Sequence, residues 1–294
     1  MDLRTANLGR FFAPATGMTS DPRPSSITVH ERSARDVAGG RRIQLSIEDG
    51  EHVPGLLLLP TARQRVPAAL LLHGYSSRKE RMSEAIGMAL LRRRIASLAI
   101  DLPLHGERDG EVESLSYRNP FELVQRWRLA VAESQLGLRF LAEHPAIDGA
   151  RLALIGYSLG SFLGVIVAAQ EPLVRVVVLA AGGDLPTRLP FAAIVRSVAD
   201  PLRAVRKLSG RPLLMVNGRF DRTVSADQAQ RLFDAAGEPK ELRWYGGGHW
   251  PPTNEVDAAV VWLDNKLSVA GAARDAISYR LSAISSGDGG PARH

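Results

Sequence analysis

The 294-residue chain contains no cysteine. That removes disulfides, thiolate metal sites and cysteine nucleophiles from consideration, and leaves the redox character of its compartment unmarked. Lysine is scarce too: of 37 basic residues only Lys79, Lys207, Lys240 and Lys266 are lysines, and against 31 acidic residues the formal charge is +6. The basic clusters Arg41-Arg42 and Arg92 to Arg94 are short and carry no interleaved aromatics. A nucleic-acid partner is therefore not expected. No apolar run approaches the roughly 20 residues that span a bilayer. Met1 to Arg10 lacks the continuous apolar segment of a signal peptide. The expectation is a soluble, cytoplasmic protein with no membrane partner.

The chain does have length and apolar content, 45% of residues, ample for a large core. Residues 1–25, interrupted by Pro14, Pro22 and Pro24, read as an N-terminal extension. Ile27 to His30, Ile43 to Ile47 and Val53 to Leu59 read as three strands, with short turns that make them antiparallel neighbours. From Val66 the pattern changes. Apolar runs near 68–72, 95–100, 152–155, 174–180, 212–216 and 241–245 alternate with helical patterns near 79–93, 120–143, 161–170, 226–236 and 254–267. This alternation predicts an α/β domain over 26–267, with a mainly parallel sheet of about eight strands covered by helices on both faces. Residues 107–118 read as a polar loop. Residues 184–208 are only partly helical, and 268–294 form a C-terminal tail with room for one more helix before a Gly/Pro-rich end.

Chemistry in such a sheet gathers at the carboxyl ends of the strands, and His73, Asp101, Ser158, Gly182, Asp221 and His249 all fall just after one. The centre of the pattern is Gly156-Tyr-Ser158-Leu-Gly160, between the apolar run Leu152 to Ile155 and an apolar helix. Strand, sharp turn and helix in that order push a serine hydroxyl out of the sheet, and a side chain at either glycine would collide with its neighbours. Ser158 needs a base to become a nucleophile. Of seven histidines, His249 follows a strand in a Gly-rich loop and comes after the serine. The base needs an orienting carboxylate. Asp184, Asp200, Asp227, Asp234 and Glu241 all lie in range, but Asp221 alone sits a few residues after a buried strand and ahead of the His249 strand. An oxyanion would be met by the backbone N–H of Leu159 and by one from the loop after His73-Gly74, that of Tyr75.

Together, His73-Gly74, Asp101-x-Pro-x-His105-Gly106, the Ser158 motif, Gly218-x-x-Asp221 and Gly248-His249 resemble the α/β-hydrolase superfamily over about residues 26–267. The resemblance is greatest to dienelactone-hydrolase-like and acetyl-xylan-esterase-like carboxylesterases. It implies the α/β-hydrolase fold, a Ser158–Asp221–His249 triad and ester cleavage, with no cofactor and no metal. Serine stands where dienelactone hydrolases proper usually carry cysteine, which argues against their specific substrate. The glycine run of lipases is absent after His73-Gly74. By the same resemblance 184–208 holds a small cap, whose Leu189, Phe191, Ile194 and Val195 either roof the pocket or pack as core. Tyr75, Tyr157 and Trp250 are expected to line the substrate pocket, although Tyr157 could instead face the core. His73 and His105 are expected to shape the rim. The activity expected is hydrolysis of a small, short-acyl ester. A peptidase or amidase, an acyltransferase and a ligand-binding protein without turnover are the alternatives. The oligomeric state, a homodimer included, stays open.

Overall fold

Short apolar runs bounded by Gly, Pro and Asp pair into one nine-stranded sheet, where about eight strands were expected. The computed structural model describes residues 27–48, 52–108, 120–186 and 192–286. The strands are β1 (Thr28–Val37), β2 (Gly40–Glu48), β3 (His52–Pro60), β4 (Val66–Leu72), β5 (Ala96–Ile100), β6 (Ile147–Tyr157), β7 (Val174–Ala180), β8 (Leu213–Gly218) and β9 (Lys240–Tyr245). Their spatial order is β1-β2-β3-β5-β4-β6-β7-β8-β9. The pairs β1–β2, β2–β3 and β3–β5 are antiparallel, and every pair from β5–β4 to β8–β9 is parallel. Helix α1 runs from Lys79–Met82 through a π-helical Ser83–Gly87 into Met88–Arg92. The others are α2 (Pro120–Glu143), α3 (Leu159–Gln170), α4 (Ala192–Val198), α5 (Pro201–Arg206), α6 (Ala226–Ala235) and α7 (Thr253–Ser286).

Side chains alternate across a strand, so the central strands feed two separate cores. Ala68, Leu70 and Leu72 of β4 and Leu152 and Leu154 of β6 pack with α2, α3, α5 and α6. Ala69 and Leu71, with Ala153, Ile155 and Tyr157, pack against α1 and α7 on the other face. Burial on both faces explains why these strands read as unbroken apolar runs.

Two elements are longer than the sequence pattern suggested. β1 extends to Val37 rather than stopping at His30, and nearly all of it is exposed. A strand with no buried face has no apolar pattern to betray it. The helix expected over 254–267 continues without a break to Ser286, into the segment read as a tail. The extension at 1–25 lies outside the described residues, as do most of the polar loop (109–119) and residues 187–191 of the cap.

Backbone strain concentrates where the strands end. Among the described residues five non-glycines have positive φ, and four of them, Ser76, Leu104, Ser158 and Ala181, follow β4, β5, β6 and β7. Each such residue costs on the order of 1–3 kcal/mol and persists only where its surroundings enforce it.

Candidate active site

The turn after β6 is fixed by contact on two sides. A Cβ at Gly156 would lie 2.2 Å from the Gly160 carbonyl oxygen, and one at Gly160 would lie 2.1 Å from that of Leu72 in β4. Only hydrogen fits at either position, so β6, α3 and β4 close on one another. Ser158 is held between them at φ 52°, ψ −114°. Its N–H donates to Ala180 O at 3.0 Å. Ser161 Oγ, one turn into α3, lies 2.8 Å from both Gly156 O and Ala180 O and ties the turn to β7. The sequence reading passed over Ser161, since a serine inside an apolar helix carries no motif of its own.

Three strand ends converge here. His249 Nε2 is 2.8 Å from Ser158 Oγ, and His249 Nδ1 is 2.7 Å from Asp221 Oδ2. The second Asp221 oxygen accepts from the N–H groups of Thr223 and Val224 at 2.7 and 3.0 Å. With its side chain sealed from solvent, that carboxylate can only accept. Nδ1 therefore carries the hydrogen, leaving the Nε2 lone pair facing the serine hydroxyl. Tyr245 Oη donates to Gly248 O at 2.8 Å and so fixes the loop that bears His249. Three of the rival carboxylates are engaged elsewhere. Asp184 pairs with Arg196 of α4 and Arg231 of α6, Asp200 caps α5, and Glu241 pairs with Arg243.

The N–H groups of Leu159, at the start of α3, and of Tyr75, in the turn after β4, have no hydrogen-bond partner among the described residues. Gly74 brings that turn close, since a Cβ there would sit 3.2 Å from Ser158 Cβ. Beyond it, Asp101 accepts from the backbone N–H of Lys79 and of Glu107 at 2.9 and 3.0 Å. It also accepts from the fully buried Lys79 Nζ at 2.6 Å. Burial alone would lower the Lys79 pKa, but the Asp101 and Glu107 carboxylates outweigh it and hold the ammonium above its ordinary value. His73 is fully buried: Nδ1–H donates to Gly74 O at 2.8 Å and Nε2 accepts from Leu102 N at 3.1 Å. Burial pushes its pKa down to about 4.

Two cavities share Leu123, Trp127 and Leu159 as walls. The larger, about 270 Å³, is mostly apolar and touches Ser158, Phe162, Leu185 and Val195. The smaller, about 120 Å³, is bounded by Tyr75, Leu102 and His105. Of the residues expected in the pocket, Tyr75 lines the smaller cavity, whereas Tyr157 and Trp250 line neither. This corrects the sequence reading. Tyr157 points to the α1/α7 core with Ala153 and Ile155, as period-two alternation along β6 dictates. Its ring packs on Trp250 and His249 at centroid distances of 4.4 and 5.3 Å. Burial, followed by the nearby Asp221 charge, raises the Tyr157 pKa to about 12. Of the cap residues, Val195 is buried on the larger cavity and Ile194 is exposed; Leu189 and Phe191 lie outside the described residues. No cluster of three or more His, Asp or Glu able to hold a metal ion occurs among the described residues, and no helix there is long and apolar enough to cross a membrane.

The model of the Alpha/beta hydrolase family matches residues 69–281, well over half of the chain. The chain belongs to the α/β hydrolase family. It is similar to an uncharacterized protein of Mycobacterium tuberculosis, 24% identical over 80% of this chain and 78% of that protein. A polyketide transferase of Stachybotrys chlorohalonatus is 27% identical over 40% of this chain and 36% of its own length. Among solved structures, a cold-adapted esterase from an Arctic intertidal metagenomic library superposes with a TM-score of 0.63 at 25% identity, covering 80% of this chain and 97% of that one. Acetyl xylan esterase 1 of Thermoanaerobacterium sp. shares the fold, with a TM-score of 0.68 at 17% identity over 82% of this chain and 88% of its own. Family and neighbours together mark this α/β hydrolase as a hydrolytic enzyme.

Proposed function

We propose that the protein is a serine carboxylesterase acting on small, short-acyl esters. The observation that carries this reading is the continuous relay from Asp221 through His249 to Ser158, at 2.7 and 2.8 Å, with the serine on a strained turn. His249 Nε2 takes the Ser158 proton while Oγ attacks the ester carbonyl. The charge on the former carbonyl oxygen is met by the N–H groups of Leu159 and Tyr75. His249 then returns the proton to the departing alcohol, leaving an acyl group on Ser158. Water enters, gives its proton to His249 and releases the acid, and Ser158 regains its hydrogen. Asp221 steadies the imidazolium in both halves. The apolar walls of the 270 Å³ cavity suit an uncharged acyl chain of modest length.

The test is a p-nitrophenyl ester series of increasing acyl length, with wild type and Ser158→Ala run side by side. Turnover should be greatest at short chains and depend on Ser158. A Ser158→Ala variant of near-normal rate would remove the serine from this role. Acyl transfer to an alcohol is a second reading, supported by the partial match to a polyketide transferase. An added alcohol acceptor that raises ester product at the expense of free acid would favour it.

A further inference from the structure

The two cavities have only Leu123, Trp127 and Leu159 in common. Everywhere else their linings part, and helix geometry shows along which line. With about 100° of turn per residue, Leu123 and Trp127 stand side by side on α2, one turn apart. Val124, on one flank of that pair, lines the larger cavity, whereas Arg126 and Ala130, on the other flank, line the smaller. Helix α3 repeats the division. Leu159 stands between Phe162, which lines the larger cavity, and Leu163, which lines the smaller. The three shared side chains therefore form a wall with a cavity on each side. Ser158 touches the larger cavity and not the smaller, so an acyl group carried on Ser158 starts on one side of that wall.

We propose that Trp127 sets the acyl-length limit of this enzyme. Its half-buried indole is the largest of the three shared side chains. With Leu123 and Leu159 it separates the 270 Å³ cavity that meets Ser158 from a further 120 Å³ of largely apolar space. A short acyl chain is taken out of water within the first cavity. A longer one meets the wall and leaves its end in solvent or bent back on itself. Removing the indole joins the two spaces, and the smaller cavity then accepts the end of a longer chain. The preference for short acyl groups is in this account a property of one side chain rather than of the cavity as a whole.

This inference rests on the esterase reading, and the experiment keeps the two apart. Values of kcat/KM are measured for p-nitrophenyl butanoate and octanoate, which differ in the acyl arm, and for butyl and octyl acetate, which differ in the alcohol arm. Wild type should favour butanoate over octanoate. In Trp127→Ala the octanoate-to-butanoate ratio should rise by roughly 10-fold or more, since each methylene newly taken out of water is worth about fourfold. The acetate ratio should change little. Trp127→Phe keeps a ring in the wall and should move the octanoate ratio far less. Ala130 lines the smaller cavity alone, so adding Ala130→Leu to Trp127→Ala refills that space and should return the ratio toward wild type. Thermal unfolding reports which variants are folded. If Trp127→Ala does not fold, Leu123→Ala decides in its place, with the same direction expected. An octanoate ratio unchanged in the folded variant would overturn the proposal. So would a gain that survives Ala130→Leu, or one confined to the acetates. Ser158-dependent hydrolysis of these esters with an unchanged ratio defeats this inference alone. Absence of any ester cleavage defeats the esterase reading and this one with it.

Discussion

His73 and His249 stand at the same rim of the same sheet, each just after a strand and beside glycine, yet their surroundings assign them opposite work. Both ring nitrogens of His73 are taken by the backbone, at Gly74 O and Leu102 N. Those of His249 bond two side chains, Asp221 and Ser158. His73 is fully buried and its pKa lies near 4, so it is a neutral brace between the β4 and β5 turns. The His249 side chain keeps 26% exposure. The carboxylates repeat the contrast. Asp101 is neutralised by the Lys79 ammonium, whereas Asp221 has only an imidazole to balance it. Residue type is shared between the two regions; the partners differ, backbone for one and side chains for the other.

Breaking each region should therefore fail differently. The largest effect is expected from Ser158→Ala or His249→Ala, lowering kcat on a p-nitrophenyl ester by roughly 10³-fold or more, with a urea unfolding midpoint near wild type. Lys79→Met should act the other way round. It strands the Asp101 carboxylate in the interior and should cost about 3–5 kcal/mol in urea unfolding, with a loss of kcat far smaller than that of Ser158→Ala.

The His73 brace gives a pH signature. Its folded pKa is depressed from 6.5 to about 4, so the unfolded chain takes up the proton first. The contribution to stability is whole above pH 6.5, falls as pH drops from 6.5 toward 4, and changes no further below that. The span is worth on the order of 3 kcal/mol. Unfolding free energies at pH 7 and pH 4.5 should differ less in His73→Asn than in wild type. The smallest effect concerns the helix after Asp221. Ser225 caps α6 in a capping box with Gln228, and Ser225→Ala should cost about 1 kcal/mol of stability while leaving kcat close to wild type.

How much of this was legible follows from how local each signal is. Gly156, Ser158 and Gly160 lie within five residues, and the collision that demands both glycines is a property of that one turn, so the motif could be read directly. Asp221 and His249 were singled out because the alternation of strands and helices assigns them to strand ends. Other features needed a partner far along the chain. Nothing in Arg78-Lys79-Glu80 announces a buried lysine, because Asp101 and Glu107 reach it only once β4 and β5 pair. Tyr157 was assigned to the pocket for standing next to Ser158, although counting by twos from Ala153 through Ile155 would have turned it to the core. β1 was cut short at His30 because its polar residues give no alternation.

The most direct test is to treat the protein with a fluorophosphonate, digest it and locate the adduct by mass spectrometry. The geometry predicts a single modified residue, Ser158, with labelling abolished in Ser158→Ala and greatly slowed in His249→Ala. An adduct on another serine, or a folded wild type that takes up no label at all, would contradict the account.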